Sequence, residues 1–213
     1  MLNSNQITEI FLQPGEHFFG GRETRIRTIL GSCVSLVFWH PSLQMGGMCH
    51  YMLPGRARGA VGGLDGRYAD EALALMLEDV RASGARLNEY QVRMFGGGNM
   101  FPGISRLDGN HVGTKNVLAA RELMRRHGFG CVSEHVEGSG HRNLIFDVWN
   151  GHIALKHLPL EGAKADVIAV RRGMAPSSAS ASLPQFGRGA PRHESLLPPV
   201  FPLPFAGGRP GWG

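Results

Sequence analysis

Short runs of alternating hydrophobic and polar positions, interrupted by two longer stretches with a helical period, set the pattern of residues 1–174. Ile7–Leu12 and Arg25–Leu30 read as strands, the second stopped by Gly31. Val34–Trp39 and Met45–Leu53 are both β-rich, with His40-Pro41-Ser42-Leu43 between them as turn material. Over Tyr68–Ala82 the apolar positions 69, 72, 73, 76, 77 and 80 form one helical stripe, and Gly84 supplies the stop. Tyr90–Phe95 is a strand that runs into the glycines 96–98. A second helix is predicted over Thr114–His127, with Val117, Leu118, Ala120, Leu123 and Met124 facing inward and Gly128 ending it. Strands at Phe129–Val136, Asn143–Trp149 and His152–Leu158 complete the set, the last two joined at Asn150-Gly151 by an expected type I′ turn. Many hairpin-connected strands with two substantial helices predict an α+β fold, a layered α/β sandwich of mostly antiparallel strands.

The pattern dissolves near residue 170. Of the 39 residues from Ala175 to Gly213, eight are Pro, six Gly and five Ser, a composition that cannot offset its ordering entropy with a packed core. Residues 1–170 are therefore expected to form the domain, and 171–213 a basic, disordered tail in which Leu197–Phe205 is apolar enough to dock elsewhere. The net charge of +5 belongs mostly to that tail, which holds five Arg and one acid. A nearly neutral domain lacks the clustered cations of a nucleic-acid surface. Its longest apolar stretch, Cys33–Trp39 with Ser35 as the one polar member, is seven residues, against the roughly 20 that cross a bilayer. No basic cluster followed by an apolar run opens the chain. Three cysteines without a CxxC pair argue against a disulfide framework or a zinc ribbon. Together these features suggest a cytoplasmic protein that does not insert in membranes.

One pair of residues could carry chemistry. If the strands at 34–39 and 45–53 form a hairpin about Pro41-Ser42, opposed residues have numbers summing to about 83, which sets Cys33 directly against His50. A free thiol has a pKa of about 8.5, and a neighbouring imidazolium lowers it. The same histidine can return a proton to a leaving group. Gly31-Ser32 just before the cysteine allow a sharp turn, so Ser32 and the backbone N–H groups there are candidates for contacting substrate and an oxyanion. Thr28 could orient the ring. A Cys–His coincidence can equally be core filling, which is how Cys49 and Cys131 read. Gly96-Gly97-Gly98 is not followed by Gly-Lys-Ser/Thr, so it suggests close backbone approach rather than a phosphate loop, with Asn99 offering a donor to substrate. His135 and His141, with Glu134 and Glu137, match no standard metal spacing and read as a solvated loop. Arg121, Arg125 and Arg126 with Glu122 read as a solvated helix face.

Thr28-Ile-Leu-Gly-Ser-Cys-Val34 followed by Gly46-Gly-Met-Cys-His-Tyr-Met-Leu-Pro54 resembles the signature of the CheD family, the chemoreceptor glutamine deamidases of bacterial chemotaxis. Phe95-Gly-Gly-Gly-Asn-Met100, Gly113-Thr-Lys-Asn-Val117 and Gly138-Ser-Gly-His-Arg142 fit further blocks of that family in order, and the resemblance spans roughly residues 7–160. It implies a sandwich related to deamidating toxins, with Cys33 as nucleophile, His50 as general base and acid, and Thr28 as third member. The threonine stands five residues before the cysteine, where many members have one more. Also implied are substrate glutamines on chemoreceptor cytoplasmic helices, a thioester intermediate, a methylesterase side reaction, and no metal or cofactor. A non-catalytic partner of a CheC-type phosphatase is the alternative the resemblance leaves open. A cysteine hydrolase of small amides is a poorer one, since no dedicated pocket is suggested.

Overall fold

The structure is a computed structural model that describes residues 7–56, 62–101, 111–160 and the backbone of 166–170. The expectations for the tail fall outside the described residues. The described residues form ten strands: β1 (Thr8–Phe11), β2 (His17–Gly20), β3 (Thr24–Leu30), β4 (Val34–His40), β5 (Met45–Cys49), β6 (Gln91–Gly96), β7 (Ser133–Val136), β8 (His141–Asp147), β9 (His152–Leu158) and β10 (Asp166–Val170). Two helices, α1 (Ala69–Ala82) and α2 (Val112–Arg126), join them. The strands form two five-stranded sheets, ordered β1-β3-β8-β9-β10 and β2-β5-β4-β6-β7. Pairing is antiparallel except for β1 with β3 and β6 with β7, so the α+β sandwich read from periodicity describes the chain.

Burial explains the layering. Along β3 every second residue is buried, the signature of a strand with one face to solvent. All seven residues of β4 are buried, because its odd-numbered face meets the first sheet and its even-numbered face meets the helices. Between the sheets pack Ile26, Leu30, Leu144, Phe146, Ile153 and Leu155 from one side and Val37, Trp39, Met48 and Phe95 from the other. Behind the second sheet, Leu36, Phe38, Cys49, Tyr51 and Met94 pack against both helices. The six stripe positions of α1 are its buried residues. On α2 the stripe is shifted: Asn116 and Gly113 lie inside, whereas Leu118 is 55% exposed.

Three local expectations are corrected, and one strand was not foreseen. The strand at 129–136 begins only at Ser133; Cys131, ahead of it, is half-buried against the helix-side core, its thiol donating to the Ser133 carbonyl at 2.9 Å. The β8–β9 turn is not type I′. Asp147 pairs with His152, so four residues span it, and only Gly151 among its residues has a positive φ, of 69°. Gly151 is required there because a Cβ would stand 2.4 Å from the Trp39 ring. The strand predicted at 45–53 ends at Cys49, since Leu53 bonds with Arg67 and Ala69 instead of continuing the hairpin. β2 was not foreseen, because four residues with two adjacent phenylalanines show no period of two.

Candidate active site

β4 and β5 pair in a register whose partners sum to 85, not 83: Val37 faces Met48, and Val34 exchanges both backbone hydrogen bonds with Tyr51 at 3.0 Å. The difference arises in the turn. His40 pairs with Met45, so the loop holds four residues, with Gln44 in the left-handed region at φ 49°. Ser35 is therefore the residue opposite His50, and Cys33 is its diagonal neighbour. A shift of two preserves sidedness. Cys33 and His50 share the face that looks toward the first sheet, where Cys33 packs against the inter-sheet cluster. Diagonal neighbours have Cα atoms about 7–8 Å apart, within reach of long side chains.

Thr28 comes from the other layer. It lies on the inward face of β3, between Ile26 and Leu30, and is 2% exposed. Its hydroxyl donates to the Leu12 carbonyl at 2.9 Å and lies 2.7 Å from His50 Nδ1. A hydroxyl has one proton. With that proton on Leu12, the threonine oxygen must accept from Nδ1–H, which fixes the tautomer and leaves a lone pair on Nε2. Among the described residues Nε2 is buried without a hydrogen-bond partner, and so is the Ser35 hydroxyl opposite. A buried basic nitrogen kept unpaired is costly, and such groups concentrate where a proton is to be taken.

The electrostatics differ from the imidazolium–thiolate picture. Burial lowers the His50 pKa to about 4, against smaller opposing effects of the Leu12 carbonyl and the Glu16 carboxylate. Burial also raises the Cys33 pKa, while its own backbone N–H works in the opposite sense. Both groups are therefore neutral near pH 7. The histidine holds a free base rather than a cation, and proton transfer from the thiol must accompany attack. Cys49 is fully buried on the opposite face of β5 with its pKa pushed up to about 11, as expected of a core thiol.

Backbone geometry at Cys33 depends on the glycine run. The Gly97 N–H donates to the Cys33 carbonyl and the Gly98 N–H to the Gly31 carbonyl, both at 2.8 Å. At Gly96, with φ 113°, a Cβ would fall 2.1 Å from the Cys33 oxygen, so only glycine permits this approach. Those two N–H groups are thereby engaged within the protein. The Ser32 carbonyl accepts from the Asn116 side chain at 3.0 Å. The Asn99 side-chain oxygen accepts from the Phe101 N–H at 2.9 Å, closing a local turn, and its backbone N–H meets Gly138. The structure thus brings Thr28 and His50 into contact, sets Cys33 on their side of the sheet, and gives Asn99 a structural partner.

The buried polar residues that escaped the sequence reading include Asn116 and Arg142. Asn116 sits on the buried stripe of α2, where a polar side chain among apolar neighbours was the available signal. Arg142, 1% exposed, points between the sheets. It donates to His135 Nδ1 at 2.9 Å and to the Glu137 carbonyl, and burial lowers its pKa to about 10. His135, on β7, in turn lies edge-on to His157 of β9 with ring centroids 5.3 Å apart, so this histidine is packed on a strand rather than set in a solvated loop.

A family model described as "CheD chemotactic sensory transduction" matches residues 52–157, beginning two residues past His50. A protein of Pseudomonas savastanoi pv. phaseolicola named "Probable chemoreceptor glutamine deamidase CheD" is 48% identical over 162 residues, 75% of this chain and 90% of the relative. One from Dechloromonas aromatica, with the same name numbered CheD 3, is 46% identical over 165 residues, covering 76% and 94%. A more distant one from Leptospira interrogans, CheD 1, is 38% identical over 160 residues, covering 72% and 95%. At these identities, and with nine-tenths or more of each relative covered, the chain belongs to the CheD family.

Proposed function

We propose that this protein deamidates glutamine side chains on chemoreceptors, using Cys33 as nucleophile, His50 as general base and acid, and Thr28 to hold the ring. The names of its relatives supply the substrate class. The observation that carries the chemistry is the Thr28–His50 hydrogen bond of 2.7 Å, which leaves Nε2 with a free lone pair on the face of the sheet that Cys33 shares.

The thiol proton passes to Nε2 as sulfur attacks the carboxamide carbon. The tetrahedral oxyanion needs donors, and the backbone N–H of Cys33 itself, next to the attacking sulfur along the chain, is suited to this. The imidazolium then gives its proton to the amide nitrogen, ammonia departs, and a γ-glutamyl thioester remains on Cys33. Water attacks next while Nε2 takes its proton. The thiolate leaves and recovers that proton, and the side chain is released as glutamate. While the ring is charged, Nδ1–H still donates to Thr28 and through it to the Leu12 carbonyl, whose dipole favours the cation. A γ-methyl ester would follow the same path with methanol as leaving group. A purely regulatory partner would have no use for a buried, unpaired imidazole nitrogen, which favours the enzyme.

The test is mass spectrometry of receptor cytoplasmic fragments after incubation, reading the ~1 Da gain as an amide becomes an acid. Cys33→Ala is expected to abolish that gain and ammonia release with the fold intact; retained turnover would move the nucleophile elsewhere.

A further inference from the structure

The antiparallel ladder between β4 and β5 stops one step before the cysteine. Val34 and Tyr51 exchange both backbone bonds, so the next such pair would be Ser32 with Leu53. It does not form. The Leu53 N–H goes to the Arg67 carbonyl at 3.0 Å, and the Leu53 carbonyl accepts from Ala69 at 2.9 Å. The two segments part where Cys33 lies opposite Met52. One side chain fills the place of the missing rung. Asn116, fully buried on α2, donates through Nδ2 to the Ser32 carbonyl at 3.0 Å and to the Met52 carbonyl at 2.8 Å. With two carbonyls facing that end of the amide, only the nitrogen can stand there. The helix backbone is tied in as well, since the Tyr51 hydroxyl donates to the Asn116 carbonyl at 2.9 Å.

We propose that Asn116 is a positioning residue that holds the nucleophile turn apart from the hairpin while fixing its distance from the base. Ser32 immediately precedes Cys33, and Met52 follows His50 by two residues, so one planar amide links the segment bearing the sulfur to the segment bearing the imidazole. Splaying leaves the thiol half-exposed. The amide prevents the splayed turn from drifting away from Nε2. Neither the apolar stripe of α2 nor the Thr28, Cys33 and His50 set requires a donor at this point.

The inference rests on Cys33 being the nucleophile of the proposed deamidation. Its test therefore reads the thiol itself, so failure of one reading is distinguishable from failure of the other. Cys33 alkylation by iodoacetamide is followed by peptide mass between about pH 6 and pH 10 in the full chain, wild type against Asn116→Leu. Leucine keeps the volume and suits the apolar stripe, so the helix should still pack. Near pH 6.5, where sulfur depends on His50 to take its proton, the rate should fall about tenfold or more. Near pH 10, where hydroxide ionises the thiol, the two rates should converge. A rate equal to wild type throughout, or raised at every pH as simple loosening would give, overturns the proposal. If Asn116→Leu does not fold, Tyr51→Phe decides. Freeing the Asn116 carbonyl should lower the rate near neutrality about threefold, and an unchanged profile overturns the proposal.

Discussion

Replacing His50 by Gln should flatten the dependence of stability on pH. In the folded protein the imidazole has a pKa of about 4, lowered chiefly by burial, whereas in the unfolded chain it returns to about 6.5. Above pH 6.5 both states hold it neutral and it adds nothing to the slope. Between 6.5 and 4 the unfolded state binds a proton that the native state refuses, so stability declines as pH falls. Below 4 both are protonated and the loss is complete. At about 1.4 kcal/mol per pH unit this makes roughly 3 kcal/mol, a large part of a typical net stability of about 5–15 kcal/mol. At 2% exposure little solvent screening reduces that figure. The assay is urea unfolding at a series of pH values from 8 to 4, for wild type and for His50→Gln. The carboxylates titrate alike in both, so their contribution cancels in the difference. The wild type should lose about 3 kcal/mol more than the variant across this window. Parallel curves would refute the reasoning, because they would mean that His50 is protonated as easily in the native state as in the unfolded one.

Thr28→Val, close in shape, should strand both the Leu12 carbonyl and His50 Nδ1–H, costing roughly 1–3 kcal/mol in urea unfolding. Turnover should fall about 10- to 100-fold as the ring loses its orientation, with much of it restored by Thr28→Ser. Gly151→Ala should destabilise by about 1–3 kcal/mol, because the new Cβ meets the Trp39 ring 2.4 Å away at a φ of 69°. Thermal unfolding reads this, and an unchanged midpoint would contradict the packing described at that turn.

Legibility followed the physics of each element. The α1 stripe was read residue for residue because six apolar positions at helical spacing leave one face to bury. Cys33 and His50 could be assigned to one face because sidedness depends only on parity, which survived a register error of two. The error itself came from a turn whose length depends on Gln44 adopting a left-handed conformation, which no flanking pattern announces. Thr28 was legible only as a candidate. Its contact with His50 joins strands of different sheets, a packing event without a period in the sequence. Asn116 was hidden for a related reason, since its role comes from a rung missing between two distant strands.

A neutral third member has consequences that a carboxylate would not. Threonine offers His50 Nδ1 an acceptor without a negative charge, so burial drives the imidazole pKa down to about 4 with only partial opposition from the Leu12 carbonyl. The carboxylate that does act on His50, Glu16, has only a minor effect, and one of its oxygens already accepts from the Gln13 N–H at 2.8 Å. With Cys33 raised and His50 lowered, a resting ion pair would need the proton to move strongly uphill. On the proposed mechanism the thiol would therefore remain protonated until a carboxamide carbon is close enough to share the cost of transfer. Such a cysteine should be a poor target for oxidants and stray electrophiles at neutral pH, since these select for thiolate. The low basicity of His50 has a matching use: once protonated it is a strong acid, suited to forcing a proton onto a departing amide nitrogen. In the proposed mechanism, burial and one uncharged hydroxyl would in this way tie reactivity to the presence of substrate.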